Sequence, residues 1–161
     1  MKCIPALAAA IVLFVIAGCA EREATFRQLG GEPIRFSDFH DKVVFINYWA
    51  IWCKPCREEI PALNRFQQGN PEDVVVLAVN FDGIAGDELA QQADDLGIEF
   101  GVLLDDPRNA FAVKPSGVLP ETLVIDRRGE FHRVLLGPQT EDDLQEVLSS
   151  LLEDINYNGS P

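Results

Sequence analysis

Residues 43–68 constrain the fold more than any other stretch of the chain. Val43-Val44-Phe45-Ile46-Asn47-Tyr48-Trp49 is a nearly unbroken apolar run that reads as a strand buried on both faces. Trp52-Cys53-Lys54-Pro55-Cys56 follows almost at once, and from Arg57, Glu58, Glu59 and Ile60 through Gln68 the pattern is helical. A thiol pair at a strand-to-helix junction puts its first sulfur at a helix N-terminus, where free N–H groups favour the thiolate. The chemistry implied is thiol–disulfide exchange, in which Cys53 attacks a disulfide and Cys56 resolves the mixed intermediate. An inert structural disulfide and half of a zinc site are the other uses of such a pair. A four-thiolate zinc site needs two more closely spaced ligands. The other cysteines, Cys3 and Cys19, fall in an N-terminal apolar segment, and His40 and His132 stand alone. Redox chemistry is therefore the reading adopted, with no metal.

A chain of 161 residues suits one compact domain, and 47% hydrophobic content supplies a core for it. The formal net charge of −13 argues against nucleic acid, because phosphate binding needs a basic face. We read the acidity as solubility.

Residues 1–18 read as an export signal. Lys2 is a short basic start, and Ile4–Gly18 is apolar but too short for a comfortable membrane span. The segment ends in Ile16-Ala17-Gly18-Cys19, which resembles a bacterial lipoprotein signal cut before Cys19, with lipid attached to its sulfur. Residues 19–24 then form the lipidated cysteine and a short linker, whose five residues after Cys19 reach only about 17 Å at ~3.5 Å each. The domain is expected at the periplasmic side of a bacterial membrane, where export permits a Cys53–Cys56 disulfide.

The globular domain is expected over residues 25–153, with a polar tail at 154–161. Gly30-Gly31 between Thr25–Leu29 and Pro33–Phe36 predicts a small hairpin, and Ser37–Asp41 a short turn or helix. Helix is predicted from about Cys53 to Gln68, strand at Val74–Val79, helix at Asp87–Leu96, strand at Phe100–Leu104 and a short helix at Pro107–Val113. Thr122–Asp126 and Glu130–Leu136 predict an antiparallel pair around Arg127-Arg128-Gly129. Thr140 with Asp143 marks the start of a last helix. This order predicts an α/β fold of thioredoxin-like type, a mixed central sheet with helices on both faces.

From Thr25 to about Leu152 the chain resembles the membrane-tethered thioredoxins of the TlpA, ResA and DsbE group. The resemblance lies in FSDFHDKVVFINYWAIWCKPCREEIPAL at 36–63 and GVLPETLVIDRRGE at 117–130. It implies a protein thiol–disulfide oxidoreductase that is monomeric and carries no cofactor beyond the Cys53–Cys56 disulfide. The implied partners are disulfide-containing periplasmic proteins, apocytochrome c among them, and a membrane or soluble electron donor. Cys53 matches the attacking thiol of the group and Cys56 the resolving one. Pro55 matches the usual proline between them, Lys54 the variable slot that tunes potential, and Pro61 the proline that kinks the helix. Asn47 stands where cytosolic thioredoxins have a buried Asp, and Glu59 matches the carboxylate the tethered group uses instead. Leu119-Pro120 resembles the cis-proline loop that faces the thiols, and Glu121 the PET pattern of the cytochrome c maturation branch. Two residues, Val118 and Leu119, separate Gly117 from Pro120 where many relatives have one. Trp52, Lys54, Pro55, Leu119 and Glu121 are thus the expected client-contact or tuning residues.

Helix spacing supports Glu59 independently, since residues three apart share a face and Glu59 falls on that of Cys56. The alternative is a solvated helix carboxylate. Glu59 and Glu121 together are expected to raise the thiol pKa values, opposed by Lys54 and the helix terminus, and so to favour a reducing site.

Other functions share this fold, and the two intact cysteines argue against a non-catalytic adaptor that merely keeps it. A peroxiredoxin-like antioxidant needs a P-x-x-x-T/S-x-x-C array, and neither Ala50 and Ile46 before Cys53 nor Cys53 and Trp49 before Cys56 provides one. A copper-binding assembly factor would need a distant histidine, for which His132 is the downstream candidate.

Overall fold

The computed structural model describes residues 23–158, so the expected signal segment, Cys3 and the expected lipidation site Cys19 lie outside the described residues. A five-stranded sheet in the order β3-β2-β1-β4-β5 organises the chain. Strand β1 (Val43–Trp49) lies at its centre with all seven residues buried. It pairs in parallel with β2 (Val74–Asn80), which pairs in parallel with β3 (Gly101–Leu103). On its other side β1 runs antiparallel to β4 (Glu121–Ile125), and β4 antiparallel to β5 (Phe131–Leu136). The unalternating apolar runs of β1 and β2 match this position, covered from above and below.

Side chains alternate between two cores. Phe45, Trp49, Val76, Ala78 and Val124 face helix α1 (Lys54–Gly69), α2 (Gly86–Asp95) and α3 (Glu141–Asn158), together with Cys53 and Cys56. Val44, Ile46, Tyr48, Leu77, Leu123 and Ile125 face the other way. That second face is covered by 3₁₀ turns at Phe36–Phe39 and Pro107–Phe111 and by the N-terminal arm, with Phe36 edge-on to both Phe26 and Phe111. The helices on this face are thus one-turn elements, and all three α-helices lie on the thiol face.

The expected Thr25–Phe36 hairpin is reduced to one antiparallel bridge, Phe26 to Ile34, because its first arm also serves the sheet. Leu29 N–H donates to Val102 O and Leu104 N–H to Arg27 O, both at 2.8–2.9 Å, which satisfies the outer edge of β3. Thr140 and Asp143 cap α3 reciprocally, with Asp143 N–H donating to Thr140 Oγ1 at 3.2 Å and Thr140 N–H to Asp143 Oδ2 at 2.8 Å. Helix α3 continues to Asn158, past the tail boundary expected at residue 154. No Gly or Pro interrupts the backbone ladder before Gly159.

Helix α1 turns Cys56, Glu59, Ile60, Leu63 and Phe66 inward at helical spacing. Phe66 is fully buried and meets Phe45 edge-on with ring centroids 5.0 Å apart. Phe66→Ala is expected to cost about 3–5 kcal/mol of unfolding free energy, read from denaturant unfolding of the oxidised protein. A loss below about 1 kcal/mol would mean that the core closes over the gap.

Candidate active site

After Trp49 the chain turns, with Cys53 N–H donating to Ala50 O at 3.1 Å, and enters α1 with Cys53 as its N-cap. Lys54 and Pro55 occupy the first two helical positions. Pro55 has no N–H to give, so the first-turn donor aimed at the sulfur is the backbone of Cys56, 3.2 Å from Cys53 Sγ. The two cysteines are joined as a disulfide, with Cα atoms 5.3 Å apart. Cys53 retains 3% exposure and Cys56 none, which orders the pair for reaction. The outer sulfur sits at the positive end of the helix, and the inner cysteine is closed to solvent.

Trp52 is 60% exposed at the rim of this turn. Its indole N–H donates to Asp82 Oδ2 at 2.9 Å and its ring meets exposed Phe81 edge-on, tying the turn to the loop after β2. Lys54 points outward and pairs with Glu58 at 3.6 Å, four residues on in the helix.

Glu59 is not a solvated carboxylate. It is 2% exposed, on the Cys56 face of α1. Asn47 Nδ2 donates to its Oε1 at 2.7 Å, and the Gln139 backbone N–H to its Oε2 at 3.0 Å. Burial pushes its pKa up from the ordinary 4.5 to about 7, with the two hydrogen bonds pulling against that rise. The same Asn47 nitrogen reaches Thr122 Oγ1 at 3.0 Å across the β1–β4 pair, while the buried Asn47 Oδ1 has no hydrogen-bond partner among the described residues.

The β1–β4 register places the proline loop. Tyr48 pairs with Glu121, so Leu119-Pro120 continues past the end of β1, from which the thiol turn springs. The Leu119-Pro120 peptide is cis, and Pro120 O accepts Gly137 N–H at 2.9 Å. Leu119 packs against the cluster holding Cys53 and Cys56, and Val118 before it is 49% exposed.

Glu121 corrects an expectation. It pairs with Tyr48, and the residues two and four further along its strand, Leu123 and Ile125, lie in the core opposite the thiols. Its carboxylate is buried there and held by Arg108, whose Nη1 and Nη2 donate at 3.1 and 2.7 Å. Strand alternation carries a residue next to Thr122 to the opposite face, and the guanidinium meets its charge. Of the two carboxylates, Glu59 is the one buried on the Cys56 face of α1.

His132 is exposed on the edge strand β5 and His40 on the surface before β1. Among the described residues no group of three or more His, Cys, Asp or Glu could hold a metal ion. The sequence reading did not single out Thr122, Gln139 or Arg108. Gln139 contributes a backbone N–H, for which no sequence signal exists. A charged pair, Arg108 and Glu121, bracketing a Pro- and Gly-containing loop was a usable signal.

An N-capping cysteine pair, a cis-proline turn beside it and a central sheet of this order define a thioredoxin-fold dithiol protein. The AhpC/TSA family model matches residues 18–133. The thiol-disulfide oxidoreductase ResA of Geobacillus kaustophilus is 31% identical over 138 residues, covering 85% of this chain and 79% of that protein. A solved DsbF homologue from Corynebacterium diphtheriae superimposes with a TM-score of 0.70 at 26% identity, over 80% of this chain and 84% of that one. A secreted thiol-disulfide isomerase from Corynebacterium glutamicum gives 0.65 at 29% identity, over 82% and 84%. The chain belongs to the AhpC/TSA family, in its ResA-like branch, and is a thiol–disulfide oxidoreductase.

Proposed function

We propose that this protein is exported, held at a membrane by lipid on Cys19, and reduces disulfides in other exported proteins through the Cys53–Cys56 dithiol. Apocytochrome c is one client class that such a site would serve. The observation that carries the reducing direction is Glu59, a carboxylate buried on the Cys56 face of α1. A carboxylate there disfavours a second negative charge on sulfur, and a thiol reluctant to ionise is a poor leaving group, so the protein disulfide is the stable form.

The reaction runs in two displacements. The Cys53 thiolate, favoured by the Cys56 N–H and the helix terminus, attacks one client sulfur. The client S–S bond breaks and a mixed disulfide forms, the departing client sulfur taking a proton. Cys56 then gives its proton to the Glu59 carboxylate and attacks Cys53 Sγ. The second client sulfur leaves and is protonated, so two electrons and two protons have passed to the client. A carboxyl with its pKa near 7 suits a proton relay of this kind. The Asn47 amide serves it in either state, donating to the ionised form and, turned over, accepting through Oδ1 from the protonated one. An external dithiol returns the pair to its reduced form by the reverse steps.

Export is supported by the apolar segment ending at Cys19 and by likeness to a secreted thiol-disulfide isomerase. Mass analysis of the membrane fraction is expected to find a chain beginning at Cys19 with lipid mass added; a soluble product cut elsewhere defeats the tether. Equilibration with a dithiol buffer is expected to give a potential closer to the about −270 mV of thioredoxin than to the about −120 mV of DsbA. A value near the second would reverse the direction assigned. Hydrogen peroxide turnover, run on the same preparation, tests the peroxidase alternative.

A further inference from the structure

We propose that the buried Arg108–Glu121 ion pair is a clasp that positions the loop between them, residues 112–120, for recognition of protein clients. This deepens the reading above and rests on it. Arg108 ends its exposure at 4% and Glu121 at 1%, and the two meet fork to fork at 3.1 and 2.7 Å. The guanidinium lies 3.6 Å from the centroid of the Tyr48 ring. The Tyr48 hydroxyl donates to Asp106 Oδ1 at 2.8 Å, and the same oxygen accepts Arg108 N–H at 2.9 Å. Arg108 is thus fixed to β1 as well as to β4.

The pair joins the two ends of one loop. Arg108 sits in the 3₁₀ turn Pro107–Phe111, and Glu121 is the first residue of β4. Between them run exposed residues 114–118, then Leu119 against the thiol cluster and the buried Pro120. Leu119 brings this loop beside Cys53, where a client strand would meet it, and Glu121 is bonded directly to Pro120. The clasp itself faces the core opposite the sulfurs, so neither side chain can touch them. Arg108 and Glu121 are therefore positioning residues. Burying two charges is seldom the most stabilising use of core volume. What the fork adds is direction, since a bidentate pair fixes both distance and angle between the elements it joins.

Steady-state reduction of insulin and the single-turnover reaction with 5,5′-dithiobis(2-nitrobenzoate) separate this role from a general one. The comparison uses wild type, Arg108→Lys and the volume-preserving double variant Arg108→Met/Glu121→Leu, each checked for a wild-type circular dichroism spectrum. Arg108→Lys keeps the charge without the fork and is expected to fold. Both variants are expected to raise KM for insulin by about fivefold or more, with kcat and the small-disulfide rate within about twofold of wild type. Unchanged KM in a folded variant overturns the clasp, as does restoration of wild-type KM by the double variant, which would mark the pair as mere filling. An equal fall in the insulin and small-disulfide rates also overturns it, because the pair would then act on the thiols. Wild type that leaves insulin unreduced defeats the reductase reading beneath, a result visible before any variant is made.

Discussion

Cys56→Ser is expected to stop multiple turnover completely while leaving Cys53 able to attack, so that clients accumulate as mixed disulfides on Cys53. The expectation follows from the unequal positions of the two sulfurs. Cys53 caps α1 and accepts the Cys56 N–H, whereas Cys56 is fully buried one turn inward and can only complete a reaction begun outside it. Removing the inner thiol removes the second displacement and preserves the first. Cys53→Ser should lose both, with no adduct. Non-reducing gels and intact-mass measurement of the variants, incubated with an exported protein fraction, read the outcome. Adducts on Cys53→Ser, through Cys56, would reverse the assignment of nucleophile and resolving thiol. The trapped species also identify the clients, which bears directly on the proposed place of apocytochrome c among them.

Glu59→Gln should shift both the redox chemistry and the pH dependence of stability. The carboxyl is buried, and its pKa in the folded protein is raised from 4.5 to about 7. Between those values the folded state holds a proton that the unfolded state has released, so stability falls as pH rises through that window and is level above it. The full drop is about 3 kcal/mol at 1.36 kcal/mol per unit. The Gln variant cannot ionise and should lack this slope, which denaturant unfolding of the oxidised proteins between pH 4.5 and 8 would show. In the reduced protein the lost charge no longer opposes the thiolates. Their pKa values should fall by about one unit, worth about 1.4 kcal/mol, and the potential should become more oxidising by about 30 mV. Equal slopes and an unmoved potential would return Glu59 to the status of an ordinary buried polar residue.

Much of this molecule is legible along the chain. Apolar runs at 43–49, broken only by Asn47, and at 74–79 specify central strands because only a strand covered on both faces buries every side chain. The two cysteines placed before a helical pattern specify chemistry because local backbone geometry alone brings an N–H to the first sulfur. Three-residue spacing put Glu59 on the Cys56 face for the same local reason. The β1–β4 register, by contrast, is a nonlocal fact. It sends Thr122 to Asn47 and Glu121 to Arg108 on opposite faces, and so separates two carboxylates that looked equivalent when read in line.

The chain by itself thus determined the central strands, the thiol pair and the helix that begins at it, because all of these arise from neighbours within a few residues. Only the tertiary structure decided that Glu59 is buried under Asn47 and Gln139 and that Glu121 belongs to a clasp instead of the thiols. Burial and hydrogen-bond partners come from residues 12 and 80 positions from Glu59 and 13 from Glu121. Sequence spacing carries no information about which distant groups a fold will bring together, and it is those groups that set whether a carboxylate holds its proton.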